Sequence, residues 1–154
     1  MGRIDEKLQK LGIVVPTPAA PVANYVGFVR TGNLVFTAGQ VTLKDGKFEH
    51  LGKVGGAISL EEAQKAARLC AINILAQLKA ACDGDLDRVR RIVKLVGFVN
   101  AVPEFTDHPK VINGASDLMV EVFGDAGKHA RSAVGSGSLP LNVAVEVEAI
   151  AEVA

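Results

Sequence analysis

One arginine and two glutamates near the C-terminal end carry the strongest chemical suggestion in the chain. Arg131 opens an extended run through Val134, and Glu146 and Glu148 interrupt one face of a second extended run, Val143 to Val153. A guanidinium is always charged and offers a rigid fork of N–H donors that matches the edge of a carboxylate. Two readings are open on this pattern. Arg131 grips an anionic small molecule, or it is consumed by one of the glutamates in an ion pair that pins the two strands together. Spacing alone leans towards the ion pair.

Other constellations are weaker. His50, His108 and His129 are far apart and lack the His-x-x-x-His spacing or flanking Cys and Asp ligands of a zinc or iron centre, so no metal and no cofactor is expected. Gly135-Ser136-Gly137-Ser138 leads into Leu139-Pro140 rather than a helix N-terminus, which makes a poor phosphate cradle. Ser132 has no partner beyond nearby His129, and sequence adjacency does not make a triad. Cys70 and Cys82 fall in a helical stretch twelve residues apart, too far along the axis for a disulfide. They are expected as buried, protonated thiols in a reducing compartment.

The elements that must position these groups are legible from periodicity. Ile4, Leu8 and Leu11 suggest a short helix ended by Gly12, and Pro16, Pro18 and Pro21 impose an extended lead-in. The spacing predicts strands over Tyr25 to Arg30 and Leu34 to Gln40 about a Thr31-Gly32-Asn33 turn, and a further extended piece turning at Asp45-Gly46. His50 to Ile58 carries glycines and no apolar period, and reads as a flexible loop. Ser59-Leu60-Glu61-Glu62 fits a capping box, in which Glu62 would reach back to the cap amide, ahead of an amphipathic stripe from Ala63 to Leu78. Asp83-Gly84-Asp85 stops that helix, the Arg88 to Arg91 cluster reads as a solvated approach, and Ile92 to Val102 reads as an inner strand. A second long helix is expected from about Asp107, with Pro109 in its first turn, to Gly124.

The 154 residues suit one domain, with 1–20 as an N-terminal extension, and 49% hydrophobic but only 5% aromatic residues imply a core of Val, Leu, Ile and Ala. The 17 basic and 17 acidic residues cancel, which argues against nucleic acid as a partner. No leader-like or membrane-spanning stretch stands out, so a cytoplasmic protein is expected. Two helices can cover only one face of a sheet of four or more strands. The other face needs burial, either by the N-terminal segment or by other copies of the chain.

Two stretches carry a resemblance. Arg131-Ser132-Ala133-Val134, Leu139-Pro140 and Val145-Glu146-Val147-Glu148-Ala149-Ile150-Ala151 resemble the C-terminal signature of the Rid proteins, the YjgF-type or endoribonuclease L-PSP family. Asn24-Tyr25-Val26 and Thr31 to Gln40 are similar to that family's first hairpin, and the likeness runs from about Pro21 to the C-terminus. The resemblance implies an α+β, chorismate-mutase-like fold: a mixed sheet with two helices on one face, assembled as a homotrimer with small carboxylate or imine ligands in clefts between subunits. It implies hydrolysis of enamines and imines such as 2-aminoacrylate to 2-oxo acids and ammonia, with no cofactor. On this chain Arg131 would grip the substrate carboxylate and Glu146 would activate water or relay a proton, its own pKa lowered by the arginine. Tyr25, Gly39 and Asn113 would line the cleft, and Glu148 would support the framework.

The chain departs from the best-known branch at Ala133, where that branch often has Cys, at Gly135-Ser136-Gly137, and in insertions around His50 to Gly56 and His108 to Lys110. It reads as a longer, divergent branch. Two other functions compete with hydrolysis. A carboxylate sensor would need Arg131 but not Glu146. A ribonuclease would need charge, stacking aromatics and acid–base histidines that the sequence does not supply.

Overall fold

The computed structural model describes residues 1–18 and 20–154. Helix α1 spans Arg3–Lys10, and strands β1 and β2 span Phe28–Thr31 and Leu34–Thr37. A small hairpin follows, β3 at Leu43–Lys44 and β4 at Lys47–Phe48, and then helix α2 at Leu60–Ala81. Strand β5 at Val89–Asn100, helix α3 at His108–Phe123, β6 at Ala130–Ser136 and β7 at Val145–Val153 complete the chain. The first strand starts later than Tyr25, which stays outside it, and the second ends at Thr37, with Gln40 keeping only an isolated bridge to Val147.

Local chemistry accounts for the element ends. The Ser59 hydroxyl accepts the Glu62 amide at 3.1 Å and starts α2. The return arm of the expected capping box is not where Glu62 goes: its carboxylate lies 3.3 Å from His50 Nδ1. Beyond α2, Asp83 and Gly84 adopt left-handed φ of 54° and 90°, which reverses the chain towards β5. Pro109 sits in the first turn of α3, where a missing N–H costs nothing, and Gly124 ends that helix at φ 63°. The Asp45-Gly46 turn has both residues at positive φ, the geometry that joins two strands with matching twist.

The five long strands form one mixed sheet in the order β1-β2-β7-β5-β6. Among the described strands of this sheet only β5 and β6 run parallel, joined by the α3 crossover. The two C-terminal strands are therefore not neighbours: β5 lies between β6 and β7. Leu95, Gly97 and Val99 of β5 and Val145, Val147, Ala149 and Ala151 of β7 are buried on one face, against α2 and α3. The opposite face carries Val29, Phe36 and Val134, all exposed, with Phe36 registered on Ile150 and Phe98 on both Val134 and Glu146. Ile4 and Leu8 of α1 join the core, and α1 packs on α3 and on the 86–88 turn. The Asp87 carboxylate in that turn accepts the amides of Arg3 at 2.9 Å and Ile4 at 2.8 Å, capping a helix 83 residues away whose own N-cap residue, Gly2, has no side chain. Those amide bonds hold the Asp87 carboxyl below its ordinary value. The helix thus lies away from the open sheet face and does not cover it.

The stretch from His50 to Ile58 is more ordered than its composition suggests. Val54 is fully buried and its amide donates to the Asn100 carbonyl at 2.8 Å, while Leu51 bridges to Val143. Long-range backbone pairing supplies what no local period could signal. The alanine-rich face of α2 lets the helices approach closely, and Gly114 of α3 lies directly against the Gln64 carbonyl of α2. A methyl group there would meet backbone, which cannot move aside as a side chain can. Gly114→Ala is expected to lower the stability by about 1–3 kcal/mol in urea denaturation, whereas Gly137→Ala, with nothing within 4 Å of the added carbon, leaves the midpoint in place.

Candidate functional site

Arg131 is the second residue of edge strand β6, in register with buried Leu95, so its side chain leaves the sheet on the helix-covered face and meets α3. Its Nη1 donates to Asn113 Oδ1 at 2.8 Å and to Ser116 Oγ at 3.1 Å. Asn113 and Ser116 stand three residues apart on α3, one above the other on the same side of the helix. Ser116 Oγ also lies 2.9 Å from His129 Nε2, and His129 Nδ1 lies 2.7 Å from the Gly127 carbonyl. Both hydrogens of Nη1 are thus engaged by α3. The Nε and Nη2 edge has no protein partner among the described residues, and that edge can take a carboxylate through two parallel hydrogen bonds.

The ion pair that competed for Arg131 does not form. No carboxylate lies within bridging distance of Arg131 among the described residues, because β5 separates its strand from that of the glutamates. Arg131 shares a row with Leu95 and Ala149, whereas Glu146 shares one with Phe98 on the other face. Two strand spacings and three residues of rise put their Cα atoms about 14 Å apart, with side chains on opposite faces. A substrate the size of an amino acid does not bridge them within one subunit.

Glu146 is half-buried on the central strand and packs against Gly39, at which an added methyl would collide with the Glu146 carboxylate. Gly39 therefore keeps space that the carboxylate occupies. Beyond Gly39 lies a groove of about 1060 Å³ between α2 and residues 11–18, with Tyr25 on its wall. Gly39 touches Glu146 and shares the groove wall with Tyr25, whereas Arg131 and Asn113 form a separate group with Ser116 and His129. The glutamate carboxyl is raised above its ordinary value, first by burial and then by the charge of Glu148. This reverses the expected direction. The arginine that was to lower it is on the far side of the sheet.

Ser116 and His129 were not singled out as site residues from sequence. The i, i+3 spacing from Asn113 was the available signal for Ser116, but His129 joins only because the turn at 124–127 folds it back over α3. His50 pairs with Glu62, and His108 stacks edge-on against Phe105 at 5.4 Å between ring centres. Cys70 is buried, its thiol pushed far up by desolvation, and it donates to the Val145 carbonyl at 3.4 Å. No group of three or more His, Cys, Asp or Glu converges as metal ligands among the described residues, and no helix is long and apolar enough to cross a membrane.

Residues 5–153 match the family described as "YjgF/chorismate_mutase-like, putative endoribonuclease". The chain is 47% identical over 152 residues to Protein TCP17 of Trypanosoma cruzi, covering 98% of this chain and 94% of that one. It is 31% identical over 139 residues to a 2-iminobutanoate/2-iminopropanoate deaminase of Dermatophagoides farinae, covering 89% and 93% of the two chains. A crystal structure of a protein of unknown function from Agrobacterium tumefaciens superimposes with a TM-score of 0.93 at 49% identity, over 98% of this chain and 92% of that one.

Because the folded state raises the Glu146 pKa, ionisation of this carboxyl opposes folding. The opposition is absent while the group is protonated in both states, develops as pH rises through the ordinary carboxylate range, and is complete above the raised value. Glu146→Gln cannot ionise. Its urea midpoint is expected to exceed that of the wild type at pH 7, with the advantage shrinking at pH about 4. An advantage that is equal at both pH values, or larger in acid, would contradict a destabilising buried charge.

Proposed function

The chain belongs to the YjgF/chorismate-mutase-like, Rid-type family, and from that premise we propose that it hydrolyses 2-imino acids, and their enamine tautomers such as 2-aminoacrylate, to 2-oxo acids and ammonia. The observation that carries the reading is the Arg131 guanidinium, whose Nη1 is held by α3 and whose Nε and Nη2 edge has no protein partner among the described residues. That edge takes the substrate carboxylate. The similarity to a protein named for imine deamination supports the same chemistry.

Glu146 is the proton-transfer group in this mechanism. An imine carbon is electrophilic, more so when its nitrogen is protonated, so the remaining demands are position and water. Glu146 takes a proton from water as the oxygen bonds to C2, giving a carbinolamine. It then returns the proton to the amine nitrogen, and as the C–N bond breaks the hydroxyl gives its proton back to Glu146, so that ammonia leaves and the carbonyl forms. An enamine first accepts a proton at its terminal carbon to give the same imine. Within one subunit the carboxyl is raised by burial and by the charge of Glu148, the direction that favours giving back the proton it has taken.

The site is completed by a second copy of the chain. Arg131 and Glu146 lie on opposite faces of one subunit's sheet, and the exposed Val29, Phe36 and Val134 leave an apolar face that another subunit would bury. A closed trimer brings the Arg131 group of one subunit to Tyr25, Gly39 and Glu146 of the next, with Glu148 as framework. No cofactor takes part. A carboxylate sensor uses the same arginine without turnover. A ribonuclease reading finds no support in zero net charge and a single tyrosine without tryptophan.

Release of ammonia and 2-oxo acid from freshly generated 2-aminoacrylate and 2-iminobutanoate tests the reading. Wild type is expected to exceed the buffer rate, and Arg131→Ala and Glu146→Gln are each expected to lose about 100-fold or more. Wild-type rates equal to buffer, with carboxylate binding intact, would leave the sensor. Light scattering should give a mass near three subunits, and a monomer mass would refute the shared site.

A further inference from the structure

We propose that His129 is a positioning residue for the carboxylate anchor: acting through the Ser116 hydroxyl, it holds Arg131 with its Nε and Nη2 edge turned towards the ligand. The inference rests on the reading of Arg131 as the carboxylate-binding group. It adds two residues that composition and spacing did not single out.

The direction of every hydrogen in the chain of contacts follows from its end. The Gly127 carbonyl, 2.7 Å from His129 Nδ1, can only accept, so Nδ1 carries the hydrogen. In the neutral ring Nε2 is then an acceptor, and the Ser116 hydroxyl 2.9 Å away donates to it. With its hydrogen committed, Ser116 Oγ presents a lone pair to Arg131 Nη1 at 3.1 Å. Asn113 Oδ1 takes the second Nη1 hydrogen at 2.8 Å. Remove the imidazole, and the hydroxyl loses the acceptor that fixes its rotation, so its lone pair is no longer held towards Nη1. The guanidinium plane is then fixed by Asn113 alone among the described residues.

The geometry also explains why the parts come from three places. Arg131 is on β6, Asn113 and Ser116 on α3, and His129 on the segment between them, brought over the helix by the turn at 124–127. Gly127 is buried against the Met119 carbonyl, which fixes the turn and hence the carbonyl that sets the imidazole tautomer. Pre-organisation of a long side chain lowers the ordering cost of ligand binding.

Two replacements separate positioning from structural support. His129→Asn places an amide nitrogen near Nδ1 and keeps a donor for the Gly127 carbonyl, but leaves Ser116 without an acceptor. His129→Gln places its amide oxygen near Nε2 and restores that acceptor. Binding of 2-oxobutanoate, measured by calorimetry on the full chain, is expected to weaken about ten-fold in His129→Asn and in Ser116→Ala, the worth of one hydrogen bond to a charged group. It should be close to wild type in His129→Gln. The Ser116→Ala, His129→Asn double variant should lose no more than either alone, because the two act in series. In the imine assay the loss should fall on KM rather than kcat. Equal 2-oxobutanoate affinity in wild type and His129→Asn, with Arg131→Ala unable to bind, would overturn the proposal and leave the anchor standing. Weakening in His129→Asn and His129→Gln alike, matched by equal falls in melting temperature, would also overturn it in favour of simple structural support. Binding that follows the expected order in a protein without turnover would uphold the positioning role and remove only the hydrolase reading. No binding by the wild type would overturn both the anchor and its positioning.

Discussion

The parallel pairing of β5 with β6 is the constraint on which the rest of the molecule depends. Parallel neighbours need a long connection, and here α3 supplies it, crossing one face of the sheet between the two strands. That crossover places β6 at the edge and leaves β7 to pair on the other side of β5. Arg131 and Glu146, close in sequence, are thereby parted by a full strand and by the thickness of the sheet. The same crossover brings Asn113 and Ser116 under the guanidinium. One topological choice thus separates two chemical groups and builds the support for one of them.

Close packing of the two long helices reinforces this arrangement. Small residues contribute: Ala63, Ala66, Ala67 and Ala71 are buried along α2 and Gly114 lies against the Gln64 carbonyl, while Gly97 of β5 lets Ile112 of α3 sit close to the sheet. With few aromatics available, dense packing comes from near contact of backbones rather than from large side chains filling space. Both helices lie on one face, and α1, capped from afar by Asp87, packs at their margin. The other face therefore keeps Val29, Phe36 and Val134 exposed in the isolated subunit.

Much of the fold was legible because its signals are local. The ends of α3 were written in Asp107, Pro109 and Gly124, the hairpin turn in Asp45-Gly46, and the buried face of β7 in the alternation from Val145 to Val153. Where the partner is remote, the signal fades. Val54 is held by Asn100, so the glycine-rich stretch around it passed for a loose loop. Glu62 fitted the capping pattern but is drawn to His50, a partner that local propensity does not register.

The candidate site divides along the same line. Residue type alone determined that Arg131 carries a permanent charge and a fork of donors, that Glu146 alternates with apolar residues along its strand, and that the family signature spans both. Strand order could not be read from periodicity, because a period of two is the same whichever strand lies alongside. Only the tertiary structure decided that Arg131 escapes the glutamates, that Glu146 is raised rather than lowered by its surroundings, and that Ser116 and His129 stand behind the guanidinium. Each of those outcomes is a matter of distance across the sheet or over the helix, and a chain of residue types holds no distances beyond its own local geometry.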